Sequence, residues 1–246
     1  MSHRADFIFN FHIMREESGK MIILNDEKTK QRHINRYQID RIFSSDITDE
    51  MKLLLFRKGD MLCREGEKLD YLLFLTQGRA KSYISLQNGK HLLICFYEDF
   101  EVMGDVELLG TDLASGSMEA VEDTYCIGIP MSTVNPGLMD DSRFLRFICK
   151  SLGDKLHRSS HNSSINLLYP LESRLAGYIL KTSEKRDRIY FEVNLSETAQ
   201  LLATSYRHLL RTVDRFCEAG YLRRCEGCYE VMDQESLTAM SAEVYL

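Results

Sequence analysis

The spacing of apolar positions changes character along the chain. From Leu53 to Pro130, short apolar runs alternate with turn residues at fairly regular intervals, the pattern of an all-β unit. Leu72–Thr76 predicts a buried strand. Gln77-Gly78-Arg79 turns the chain into a second strand over Ala80–Leu86. Asn88-Gly89, the strongest short hairpin signal, leads to a third over Leu92–Tyr97, and Thr124–Pro130 closes the set. Lys58-Gly59-Asp60 and Glu65-Gly66-Glu67 mark further turns. Glycines at so many strand junctions suit a small double-sheet roll enclosing a cavity.

After Asn135-Pro136-Gly137 the period becomes helical. Asp140 or Asp141 can cap a helix whose one face carries Leu145, Ile148, Cys149, Leu152 and Leu156 and continues through Ser159, Ser160 and Ser163 to Leu167. So narrow a seam on so long a helix favours pairing between two subunits over packing on its own roll. Tyr169-Pro170 ends it, because proline disfavours helix in the residue before it. A new helix starts at Leu171 and runs through Ala176, Ile179 and Leu180, which makes this point a hinge.

The stretch from Ser196 to Phe216 predicts two short helices joined by a tight turn. Ser196 is the expected cap of the first, whose apolar edge is Ala199 and Leu202. Ala203-Thr204-Ser205 is the turn, and Ser205 can cap the second helix. Leu209, Leu210, Val213 and Phe216 recur at helical spacing as a buried stripe. Tyr206, Arg207 and Arg211 lie off that stripe near the helix N-terminus, where a helix-turn-helix places its base-reading side chains. Gly220 suits a left-handed stop. Tyr221–Arg224 and Tyr229–Met232, joined by Cys225-Glu226-Gly227-Cys228, predict a hairpin wing whose Arg223 and Arg224 suit phosphate.

Residues 1 to about 45 carry less pattern. Phe7–Phe11 suits a short strand, and the charged run from Asn25 to Arg36 suits a loop. Ile34, Tyr37, Ile39, Ile42 and Phe43 suit part of a helix packed on the succeeding β unit, the alternative being a mobile or lightly docked extension.

At 246 residues, 44% of them hydrophobic, the chain is long enough for two domains. No apolar run reaches the length of a membrane span, and the N-terminal apolar stretch is broken by Asn10 and His12, so a cytoplasmic protein is expected. Seven scattered cysteines argue for reduced thiols rather than a disulfide framework. The net charge of −6 does not favour nucleic acid as a bulk property. A local basic face is enough, and Leu171–Arg224 offers one in Arg174, Lys181, Lys185, Arg186, Arg188, Arg207, Arg211, Arg215, Arg223 and Arg224.

From about Phe56 to Met232 the chain resembles the CRP/FNR family of bacterial transcription regulators. The roll resembles it through Glu65-Gly66-Glu67, Phe74-Leu75-Thr76-Gln77-Gly78 and Asn88-Gly89-Lys90. The helix-turn-helix does so through Ala203, Ser205 and Arg211. Ser205-Tyr206-Arg207-His208-Leu209-Leu210 looks most like the YeiL-type branch. The resemblance implies an α+β architecture: a cyclic-nucleotide-binding-like β-roll, a long dimerisation helix and a C-terminal winged helix-turn-helix. On that division residues 1–45 are a partly helical extension, 46–136 the roll sensor, 137–169 the dimerisation helix and hinge, and 170–246 the DNA-binding domain. It further implies a homodimer on a palindromic double-stranded operator, an activator working with RNA polymerase, and a signal received in the roll. The family's base-reading residues fall on Tyr206, Arg207 and Arg211. Ser205 matches the capping serine that contacts phosphate, and His208 is within reach of phosphate too.

The sensor departs from the family pattern. Gly104-Asp105-Val106 stands where cyclic-nucleotide binders carry Gly-Glu-Leu, and Leu113–Ser117, at the place of the phosphate-binding arginine, has none. Losing that charge-assisted contact costs about 1.5–3 kcal/mol or more, which argues against cyclic AMP in the usual mode. Ser159 and Ser160 fall where the family contacts a purine. The effector pocket implied is therefore Gly104, Asp105, Ser115, Ser117, Ser159 and Ser160, open to a small molecule of unspecified type. An iron–sulfur cluster is disfavoured, because Cys63, Cys95, Cys126 and Cys149 are far apart in sequence. Cys225-x-x-Cys228 lacks a second ligand pair and suits a hairpin turn better than a metal. No metal site is assigned, and haem finds support only in His91. Two competing functions are a ligand-binding roll protein without DNA readout and a cupin-like enzyme. The enzyme would need several converging histidines where the roll offers only His91.

Overall fold

The computed structural model describes residues 21–85, 91–110, 113–192 and 194–241. The strand expected over Phe7–Phe11 and the Asn88-Gly89 hairpin turn lie outside the described residues, as does the side chain of His91. The chain divides into two compact units, residues 1–84 with 96–152 and residues 85–95 with 153–246.

The first unit is built on antiparallel strands. They are β1 (Ile22–Leu24), β2 (Lys52–Phe56), β3 (Met61–Cys63), β4 (Tyr71–Gln77), β5 (Ala80–Ser85), β6 (His91–Tyr97), β7 (Glu101–Met103), β8 (Ser117–Ala120) and β9 (Thr124–Pro130). One sheet runs β1-β2-β9-β4-β7 and the other β3-β8-β5-β6. The buried runs Leu53–Phe56 and Leu72–Thr76 face β9, with Phe74 opposite Ile127. Gly78 turns the chain between β4 and β5 at φ 94°, and a Cβ there would lie 2.6 Å from the Asp123 carbonyl oxygen, so no other residue fits.

The segment expected to be a loop is a helix, α1 (Glu27–Tyr37). Asp26 caps it, its carboxylate accepting from the Thr29 N–H at 3.0 Å and the Thr29 hydroxyl at 2.6 Å. The charged residues that suggested a loop lie mostly on its outer face, while Ile34 and His33 point inward. Nor is the described part of the extension, residues 21–45, lightly docked. Ile34, Ile39 and Phe43 sit in the roll core with Phe74, Ile127 and Phe144, and β1 lengthens the first sheet. The Asp141 carboxylate also accepts from the Ser44 N–H and hydroxyl at 2.6 and 2.7 Å.

A short helical turn, α2 (Met131–Thr133), leads to the long α3 (Ser142–Leu168). Asp141 caps α3 through the Arg143 and Phe144 N–H groups, as one of the two expected aspartates. The expected seam is corrected at Ile148, which with Phe144 is buried in the roll core. Of the expected seam, Leu156 and Leu167 are open, at 69% and 83% exposure.

The second unit contains α4 (Leu171–Thr182), β10 (Glu184–Lys185), β11 (Ile189–Phe191), α5 (Leu195–Leu201), α6 (Tyr206–Glu218), β12 (Leu222–Arg224), β13 (Tyr229–Val231) and α7 (Gln234–Met240). Its sheet runs β10-β11-β13-β12. Its core joins Ile165 of α3 to Leu175, Ile179, Phe191, Leu202, Leu209, Val213, Phe216, Leu222 and Leu237. No described helix is long and apolar enough to cross a membrane.

Because α1 is part of the core, Ile34→Ala is expected to destabilise the protein by about 2–5 kcal/mol in chemical denaturation. A loss below about 0.5 kcal/mol, the scale of a surface change, would mean that α1 is peripheral.

Candidate nucleic-acid interface

The helix-turn-helix is α5, a turn and α6. Ser196 does not cap α5. Asn194 does, its side-chain oxygen accepting from the Ser196 and Glu197 N–H groups at 3.1 and 3.3 Å, so the helix begins two residues earlier, at Leu195. Ala203 takes φ 47° in the turn, where its small side chain limits the strain. Ser205 caps α6 as expected, its hydroxyl accepting from the His208 N–H at 3.2 Å.

Leu209, Thr212, Val213 and Phe216 are buried, whereas Leu210 is only half-buried. Thr212 belongs to the stripe although it is polar, because its hydroxyl donates to the His208 carbonyl at 3.1 Å. This buried face fixes the rotation of α6. Tyr206, Arg207, His208 and Arg211 are then exposed. Arg207 and Arg211, four residues apart, share one outer face. The His208 ring Nδ1 lies 3.4 Å from the Thr204 hydroxyl.

The basic face expected from the sequence is much narrower in the structure. Arg174 is not on it. It is buried beneath the turn, donating to the Leu202 carbonyl and, at 3.1 Å, to the Asn166 side chain. Arg186 pairs with Glu184 and Glu192, and Arg215 with Glu172. The wing arginines are also engaged. Arg223 and Arg188 share the buried Glu230, whose carboxyl the hydrogen bond from Arg188, then that from Arg223, holds below the usual range. Arg224 pairs with Asp214 of α6 at 2.8 Å. Among the described residues, Arg207 and Arg211 have no carboxylate partner. An arginine already on a carboxylate must exchange that partner to reach phosphate, so the readiest arginines are the two on α6. The sequence could not supply this partition, since Glu172, Asp214 and Glu230 carry no spacing signal toward their arginines.

In the roll, Phe56, Met61, Cys63, Leu73, Met103 and Gly104 line part of a cavity. Asp105 is fully buried, accepting from the Val106 N–H at 3.1 Å and from the Ser151 hydroxyl at 2.9 Å. Ser115 gives both its N–H and its hydroxyl to Glu107, at 2.9 and 2.6 Å. The Ser117 hydroxyl accepts from the Glu65 N–H at 3.1 Å. Glu107 and Ser151 were missed in the sequence, where nothing in their spacing marks them. Ser159 and Ser160 are exposed on the part of α3 that belongs to the second unit.

Burial pushes the Cys63 thiol up to about 12 and the Cys126 thiol higher still, the behaviour of small core residues. Among the described residues, no three His, Cys, Asp or Glu side chains form a group able to hold a metal.

Residues 53–141 match the family model of the cyclic nucleotide-binding domain. Over 202 residues the chain is 32% identical to regulatory protein YeiL of Escherichia coli O157:H7, covering 82% of this chain and 91% of that one. Among solved structures, a CRP/FNR-family regulator of Eubacterium rectale superposes with a TM-score of 0.69 at 14% identity, over 87% of this chain and 94% of that one. A CRP-family regulator of Thermus thermophilus gives 0.67 at 18% identity, over 78% and 98%. A roll of the cyclic-nucleotide-binding type followed by a helix-turn-helix, shared with a regulatory relative along most of both chains, places this chain in the CRP/FNR family of transcription regulators.

Proposed function

We propose that the protein is a homodimeric activator that reads a palindromic operator with α6 and contacts RNA polymerase, in the cytoplasm. The observation that carries the reading is the pair Arg207 and Arg211, exposed side by side without a carboxylate partner at the N-terminal half of a capped helix. Arg211 takes guanine bidentately, and Tyr206 and Arg207 read neighbouring base edges. Ser205 and His208 contact phosphate, while Arg223 and Arg224 join after exchanging their acidic partners. Dimerisation uses the open face of α3, where Leu156 and Leu167 lie exposed.

The roll takes a signal other than cyclic AMP in the usual mode. A ligand there meets Gly104, Asp105, Ser115 and Ser117. The Ser115 donors are already given to the Glu107 carboxylate, and an anionic phosphate beside Asp105 and Glu107 would be repelled. The signal acts by favouring one spacing of the two recognition helices over the other.

In vitro selection from random duplex DNA is expected to enrich a palindrome with half-sites about one helical turn apart. On that duplex, Arg211→Ala is expected to weaken binding by about 1–3 kcal/mol and to relax preference at one position of each half-site. Selection without enrichment, or an Arg211→Ala variant binding like the parent, contradicts the reading. Leu156→Asp is expected to shift the dimer toward monomer in analytical ultracentrifugation and to weaken operator binding with it; a full-strength dimer would remove α3 as the interface. Titrating cyclic AMP is expected to leave operator affinity unchanged, and a tenfold gain would restore the usual sensor mode.

A further inference from the structure

The wing ends in a cysteine pair that DNA reading does not use. Strands β12 and β13 pair in register from Leu222 opposite Val231 to Arg224 opposite Tyr229, so the next facing pair is Cys225 and Cys228. The Cys225 N–H donates to the Cys228 carbonyl at 2.9 Å, closing a turn whose only inner residues are Glu226 and Gly227. Gly227 holds φ 76°, the left-handed geometry such a turn requires. Directly opposed residues of an antiparallel pair project to the same face. The Cys225 thiol itself donates to the Arg223 carbonyl at 3.7 Å. Opposed residues of such a pair lie about 4.5–5.5 Å apart at Cα, within the range a disulfide spans. Both side chains are half-buried at a hairpin tip and open to a small reagent, unlike Cys126 in the roll core.

We propose that Cys225 and Cys228 form a reversible dithiol–disulfide modification site at the wing tip, oxidised by a low-molecular-weight disulfide. In the first step one thiolate attacks the reagent, breaking its S–S bond, forming a mixed disulfide and releasing one thiol. In the second step the facing thiolate attacks the protein sulfur of that mixed disulfide and expels the second thiol. The protein pair loses two hydrogens and two electrons, and the reagent disulfide gains them as two thiols, so the exchange needs no other oxidant. The short, preformed turn makes the second step intramolecular and fast relative to capture of another molecule. Cys149, exposed on α3, provides an internal comparison.

The test treats the full-length protein with excess oxidised glutathione, quenches with acid, blocks free thiols with N-ethylmaleimide, and maps peptides by mass spectrometry. The expected result is a 225–228 peptide lighter by two hydrogens, carrying neither glutathione nor maleimide, and restored by dithiothreitol. Cys149 is expected to carry a stable glutathione adduct or maleimide. Cys225→Ser is expected to leave glutathione attached to Cys228, because the resolving thiol is gone. A persistent glutathione adduct on either wing cysteine of the unsubstituted protein, or full maleimide labelling of both, overturns the proposal. Neither outcome depends on DNA binding, so this test and that of the operator reading fail independently.

Discussion

The rotation of α6 about its own axis is the constraint on which the interface depends. Leu209, Thr212, Val213 and Phe216 sink into one core with Leu175, Ile179 and Leu202, leaving the helix a single seating. Burying such a stripe is worth several kcal/mol, far more than any one exposed contact. Once that face is fixed, Arg207 and Arg211 have only solvent to face. Arg174 secures the other end of the arrangement from below, its guanidinium holding the Leu202 carbonyl at the mouth of the turn. A backbone carbonyl there has no helical partner, so a buried charged donor stabilises a turn that propensity alone would leave loose.

The acids of the second unit then act as selectors. Glu172, Asp214, Glu184, Glu192 and Glu230 each take up arginines that a count of charge would have assigned to DNA. Apart from those to the buried Glu230, these pairs are exposed and individually weak, so they tune which cations are ready rather than hold the fold. This accounts for a chain of net charge −6 with a compact basic spot on one helix. The roll shows the same economy with anions. Glu107 lies on the donors of Ser115, so those donors are already satisfied from within.

Much of the architecture was legible because it rests on local rules. The strands over 71–77 and 124–130, the Ser205 cap, the Gly220 stop and the wing turn follow from periodicity and turn chemistry. What was illegible rests on long-range contact. Helix α1 reads as a charged loop until Ile34 meets the roll. Ile148 reads as seam until Phe144 shows which face of α3 enters the core. Ser196 was read as the cap although Asn194 fills that place, because Leu195, before Ser196, already lies inside the helix. Arg174 looked like a surface cation because its partners, Asn166 and Leu202, lie 8 and 28 residues away. Tyr206, Arg207 and Arg211 were legible as positions off the buried stripe of α6, but the ion-pair state of the arginines was not.

The central claim is that Arg211 meets guanine in the major groove as an unpaired cation. Methylation interference on the selected operator tests it directly, because a methyl on guanine N7 blocks the acceptor that a bidentate arginine uses. The account predicts that methylating one guanine in each half-site abolishes binding of the parent protein and has no further effect on Arg211→Ala. Equal interference in both proteins, or none in either, would contradict it.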